Sequence, residues 1–245
     1  MCLIYSHFKN HFMRSVIKFL VIGIVALTVL VSCRKNKKPA MSEDDAVELI
    51  ANSVGASDNG VSSETEGAIA FKLNPNAGNC GFIDTVDITR SNSTSATRHY
   101  NYNVTGTREV ICQNNQPFEF KVISNFSGTY VGPKLETTGS GTYNGSLSEI
   151  NSNTTEYHYV GSTNRTGNGE LKTKRGGDVS STLSLSSDVY IDKSTELITR
   201  GTTVFSLKGS GSKGKDFEYS GTVTYNGNKN ATIVINGNTH NVTYN

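Results

Sequence analysis

Thr232-Ile233-Val234-Ile235-Asn236-Gly237-Asn238-Thr239-His240-Asn241-Val242-Thr243-Tyr244 carries the two features that decide the fold class. Ile233 and Ile235 stand one residue apart, and so do Val242 and Tyr244, with polar residues around them. Between the two runs lies Asn236-Gly237, a dipeptide that accepts the positive φ angles of a tight hairpin. The stretch predicts two antiparallel strands with one apolar face each, and Asn226-Gly227 marks another turn just before them.

The same period of two runs back through the chain from about Ile69. Tyr100 and Tyr102 alternate with Asn101 and Asn103, Phe118 and Phe120 flank Glu119, and Tyr157 and Tyr159 flank His158. Leu183 and Leu185, Val189 and Ile191, Phe217 and Tyr219, and Val223 and Tyr225 continue it. One apolar and one Ser/Thr/Asn/Lys face suit an antiparallel sheet wetted on one side. The runs amount to about ten to twelve strands, too many for a flat open sheet. The fold predicted is therefore mainly β, a curved antiparallel meander over 56–245. Three outcomes stay open: a closed barrel, a half-barrel covered by a helix, or a sandwich. A membrane-spanning barrel is disfavoured, because the tyrosines form no aromatic girdle. With Trp absent and Pro rare, the core rests on Val, Ile, Leu, Phe and one face of the eleven tyrosines. Ser127-Gly128-Thr129-Tyr130 is echoed at Ser140-Gly141-Thr142-Tyr143 and at Ser220-Gly221-Thr222, without a constant period. A shared strand requirement explains the echo.

Before the strands, the period changes. Ser42 is placed to cap a helix whose first turn carries Glu43, Asp44 and Asp45, suited to the positive end of the helix dipole. Ala46, Val47, Leu49, Ile50 and Val54 then share a face, and Gly55 ends it. One short N-terminal helix is expected within 42–55, followed by a Ser/Gly/Asp-rich linker over 55–67.

Charge excludes one large class of function. The first 32 residues hold Lys9, Arg14 and Lys18 and no acid, so of 23 basic side chains 20 remain beyond them, against 21 acids. A chain so balanced lacks the cationic surplus of a nucleic-acid binder, and none is expected as a partner. Ser, Thr, Asn and Gly fill roughly 46% of the positions after residue 32.

The first 32 residues read as an address. Phe19 to Val31 is an apolar run of about 13 residues behind Arg14 and Lys18, too short to span a bilayer and fitting a secretory signal. Met13 offers an internal start for it. The run closes in Leu30-Val31-Ser32-Cys33, which resembles the bacterial lipoprotein box. That resemblance implies cleavage after Ser32 and diacylglycerol, with palmitate-type acyl chains, on the Cys33 thiol. Residues 33–41 would form a lipidated basic tether, with Arg34, Lys35, Lys37 and Lys38 near anionic head groups. Arg34, rather than an aspartate, at the second mature position favours the outer membrane over the inner. Cys2 would be discarded, leaving Cys80 and Cys112, two thiols that suggest one disulfide in an oxidising compartment. Two free thiols or half of a zinc site are the alternatives.

Patterns that look chemical fail on context. Gly209-Ser210-Gly211-Ser212-Lys213-Gly214 matches the dinucleotide fingerprint, but the alternating Asp216-Phe217-Glu218-Tyr219 follows where a helix is needed. His99, His158 and His240 stand far apart and read as polar-face strand residues. Asp178, Asp188, Asp192 and Glu196 are the nearest approach to an acidic cluster. No catalytic, cofactor or metal residue is assigned. Asp84-Thr85-Val86 looks like an O-glycosylation signal of Bacteroidota envelope proteins, which marks Thr85.

Signal, box, tether, acid-started helix and Thr/Asn/Gly-rich β region together resemble the envelope lipoproteins of the Bacteroidota. The likeness is architectural and implies no catalytic residue. It points to an anchored envelope protein with a non-enzymatic role, binding glycan, lipid or an envelope protein or serving as structure. Alternatives are a periplasmic lipid or lipoprotein carrier with an apolar concavity, and a glycan-active hydrolase.

Overall fold

The computed structural model describes residues 38–55, 60–92, 96–151, 153–173 and 176–244. Among these described residues, two short helices, α1 (Glu43–Val54) and α2 (Val61–Phe71), precede ten strands. These are β1 (Ile83–Ser91), β2 (His99–Gln113), β3 (Gln116–Val131), β4 (Leu135–Ser148), β5 (Glu156–Leu171), β6 (Gly177–Asp192), β7 (Ile198–Gly211), β8 (Phe217–Tyr225), β9 (Asn230–Ile235) and β10 (Asn238–Thr243). All lie in one sheet in chain order, each antiparallel to the next. β1 and β10 remain edges, so the sheet is open and neither closes into a barrel nor splits into a sandwich.

Local chemistry sets the corners of this meander. Asn236 and Gly237 have φ of 49° and 87°, as the hairpin between β9 and β10 requires, and Asn114 and Asn115 make the same kind of turn between β2 and β3. Along each long strand, burial alternates residue by residue, most regularly in β6 and β8. The inner face carries the apolar set and the two helices. The outer face carries Ser, Thr and Asn.

Aromatic rings on the inner face lie over glycines. Tyr159 covers the cross-strand pair Gly145 and Gly161, where a Cβ on either glycine would come within 2.4 Å of its hydroxyl. The recurring Ser-Gly-Thr phrase has the same cause. A Cβ on Gly128, Gly141 or Gly221 would meet the ring of Tyr102, Phe126 or Phe205 at 2.6, 2.4 and 2.8 Å. Eight tyrosines, including Tyr102, Tyr130, Tyr159 and Tyr225, are buried. These rings belong to the core, as the reliance of the core on the tyrosines requires.

The helices fill the curve of the sheet. α1 packs on β9 and β10, while Arg98 before β2 and Lys134 between β3 and β4 share a cleft with it and with Val242–Tyr244, so the two ends of the meander come round toward each other. Ser42 caps α1 reciprocally with Asp45, and Ala46, Val47, Leu49, Ile50 and Val54 are all buried. Pro39 and Ala40 bridge to Lys215, and Tyr219 donates to the Met41 carbonyl, so the expected tether is docked on the sheet by its last residues.

The expected linker over 55–67 is corrected by α2. Its N-cap, Gly60, has no side chain to accept a hydrogen bond, and Ser62, Ser63, Thr65 and Gly67 are weak helix formers. Burial of Val61, Ala68, Ile69 and Phe71 against β3 and β4 holds it instead. Strand structure accordingly starts at Ile83, not near Ile69.

After α2, Cys80 bonds to Cys112 near the end of β2, as expected, with Cα atoms 5.5 Å apart. Gly81 and Phe82 bond to Val110 beside it. Closing a loop of this length contributes about 3 kcal/mol on the chain-entropy account. Replacing both cysteines by serine should lower the melting temperature by roughly 6–12 °C in calorimetry, and reduction of the native chain should give the same shift.

Candidate functional site

The outer face carries a wide hollow. Pairing aligns Asn103, Ser127, Ser140, Thr166, Thr182, Lys208 and Glu218 in one row from β2 to β8. Thr129, Thr138, Asn168, Ser180 and Ser210 form the next row. Strand spacing of about 4.8 Å makes the first row roughly 29 Å long. Twist of the sheet turns this region into a trough of about 980 Å³, joined through shared residues to hollows of about 570 and 530 Å³. Its floor is hydroxyl and amide. Ser180 and Ser210 hydroxyls stand 3.1 Å apart, Ser184 donates to Asn164 at 2.8 Å, and the Lys208–Glu218 ion pair of 2.8 Å closes one side.

Small side chains make the trough shallow and leave donors and acceptors at regular intervals. Such a surface suits a neutral ligand or partner rich in hydroxyl and amide groups. Further along β6, Tyr190 has His158 stacked at 4.6 Å and the Arg200 guanidinium 3.5 Å from its ring centroid. Arg200 in turn donates to Glu156 at 2.7 and 3.2 Å. Hydrogen bonds from Arg200 and Thr199 hold the Glu156 carboxyl below its usual range.

The residues singled out in the sequence do not converge. Cys33 lies outside the described residues, as do the signal and most of the tether. Thr85 is exposed on the outer side of edge strand β1, opposite Thr107. His99 opens β2, and His158 on β5 contacts Asp188 through Nε2 at 2.8 Å. Ser148, beside His158 on β4, gives its hydroxyl to the His158 carbonyl at 3.3 Å, so its proton is directed at backbone, not at the ring. His240 departs from the polar-face expectation: it sits on the helix side, 3.0 Å from Glu43 of α1.

Asp178 and Asp192 stand at opposite ends of β6. The Asp192 carboxylate accepts from the backbone and side chains of Ser194 and Thr195, which holds its pKa down to about 2. The glycine-rich stretch over 209–214 ends β7 and leads into β8, where Gly209 makes room for the Phe217 ring. Among the described residues no three His, Cys, Asp or Glu side chains are grouped to hold a metal ion.

One acid was missed in the sequence. Glu64 of α2 is fully buried and accepts hydrogen bonds from Tyr159 and from Thr163 at 2.6 Å. Burial pushes its carboxyl up to about 7, against the opposing pull of the two hydroxyls and of Arg90. Sealed between helix and sheet, it has no path to a substrate and acts in packing. Nothing in a Ser-Glu-Thr-Glu-Gly stretch distinguishes it from a solvated acid.

No family model, no curated protein and no solved structure matches the chain.

Glu64 makes stability depend on pH with a definite sign. Below about 4.5 the group is protonated folded and unfolded, and no cost arises. Between there and about 7 the unfolded chain releases the proton while the folded chain keeps it, so stability falls by about 3 kcal/mol and then levels. Urea unfolding at about pH 5 and pH 8 should show this fall, and Glu64→Gln should flatten it.

Proposed function

We propose that the protein is an envelope lipoprotein, anchored by diacylglycerol on Cys33 in the outer membrane, whose outer β face binds a neutral, hydroxyl-rich partner without catalysing a reaction. The trough carries this reading. Its rows of Ser, Thr and Asn present hydrogen-bonding groups in the pattern of an extended polar polymer, and a glycan is the class that fits best. An exposed Thr85 supports modification there, away from the trough and on an edge strand. The disulfide supports an oxidising compartment.

The lipid-carrier alternative draws on one observation: the inner curve is covered by two helices, not closed by strands. α2 meets the sheet through polar contacts as well, from Glu64 to Tyr159 and Thr163 and from Arg90 to the Ser63 carbonyl. Binding in that curve requires a helix to leave it.

Two measurements test the proposal. Cys33→Ser should move the protein from the membrane fraction to the soluble one, and continued membrane retention overturns the anchor. Insoluble envelope glycan should retain the protein in a pull-down. Asn168→Ala combined with Thr182→Val should weaken retention roughly tenfold while the melting temperature moves by no more than about 2 °C. Unchanged retention removes the trough from the account.

A further inference from the structure

A second cleft, of about 240 Å³, lies where α1 fills the seam between the two ends of the sheet. Asp44, Glu48 and Asn52 follow each other at every fourth position of α1 and form one polar stripe on a helix whose other buried positions are mostly apolar. That stripe lines the cleft together with Tyr244, which follows β10, and with Arg98 and Lys134 from the turns before β2 and β4.

Two observations set this cleft apart. Glu48, Asn52 and Tyr244 are 8, 6 and 4% exposed, yet Glu48 Oε1, Asn52 Nδ2 and the Tyr244 hydroxyl have no hydrogen-bond partner. A buried polar atom left without a partner is costly, so three around one cleft mark a place that something else completes. In addition, Asp44 and Glu48 on the helix and Arg98 and Lys134 on the turns line the same cleft without an ion pair between any two of them. Charges of both signs are thus held apart across a gap. Behind Glu48, Gly132 leaves room for the Tyr130 hydroxyl and for Glu48 Oε1, which a Cβ there would meet at 2.5 and 2.9 Å.

We propose that this cleft binds a small zwitterion of the free amino-acid type. Its ammonium lies toward Asp44 and Glu48, its carboxylate toward Arg98 and Lys134, and Asn52 and Tyr244 supply neutral donors. A volume of 240 Å³ equals about eight water molecules of liquid, which admits a single small molecule and excludes a polymer. The site is independent of the outer trough and of the anchor.

The test is calorimetric titration of the full chain in detergent with the common free L-amino acids. Each is paired with its N-acetyl derivative, which lacks the ammonium, and its amide, which lacks the carboxylate. At least one free amino acid should bind saturably, and both its derivatives should bind roughly tenfold more weakly or worse. Glu48→Gln and the exposed Lys134→Ala should each weaken binding by a similar factor, with circular dichroism confirming that both variants fold. If no free amino acid gives saturable heat, water alone completes the orphaned atoms and the proposal falls. It falls too if the derivatives bind as well as the parent, or if Lys134→Ala, folded as the native chain is, leaves affinity unchanged.

Discussion

The seating of aromatic rings on glycines is the constraint on which the rest of this fold depends. An inner face built from Tyr159, Tyr102, Phe126 and Phe205 presents large flat side chains, and a ring can lie down on the sheet only where the neighbouring strand offers no Cβ. The glycines opposite them supply that vacancy. Against this inner layer of the ten-stranded sheet the two helices pack. Glycine in a strand is ordinarily a weakness. Here Gly128, Gly141, Gly145, Gly161 and Gly221 are matched to rings, which restore the packing that a missing side chain loses.

The two faces then divide the labour. Most of the large apolar and aromatic surface is committed inward, so many outward positions are small and polar, and register lines them up across seven strands. The trough is the by-product of twist acting on a face without bulky side chains. Hydroxyl and amide groups repeat along its rows, with the charged Lys208, Asp216 and Glu218 at one side. The buried layer of Glu64, Tyr159 and Thr163 belongs to the other face and couples helix to sheet, not protein to ligand.

Most of the architecture was legible because it is written locally. Asn236-Gly237 fixes a turn through its own backbone preference, Ser42 and Asp45 cap α1 within four residues, and period-two alternation betrays each long strand. What was not legible depends on distant partners. α2 has no cap and weak helix formers, and is helical because β3 and β4 bury Val61, Ile69 and Phe71. The tyrosines alternate with polar residues whichever face they take, so alternation alone could not place them inside. Closure was left open for the same reason: a meander's pairings look identical in an open and a closed sheet except at the final strand. The trough and the seam cleft draw residues from turns and strands up to two hundred positions apart, and no local pattern announces them.

Chain order has a further consequence for how this structure is made. Every strand bonds only to its neighbour in sequence, so the ladder is assembled from short-range closures and each hairpin can add to the last. Helix α1 is the exception, for it docks on β9 and β10, almost the whole length of the chain away. Among the described residues, the first helix to be synthesised is therefore the one whose seat is completed last. Until residues 230–244 arrive, its apolar stripe has no home, and a nascent chain of this kind would gain from a companion that shields that stripe in transit.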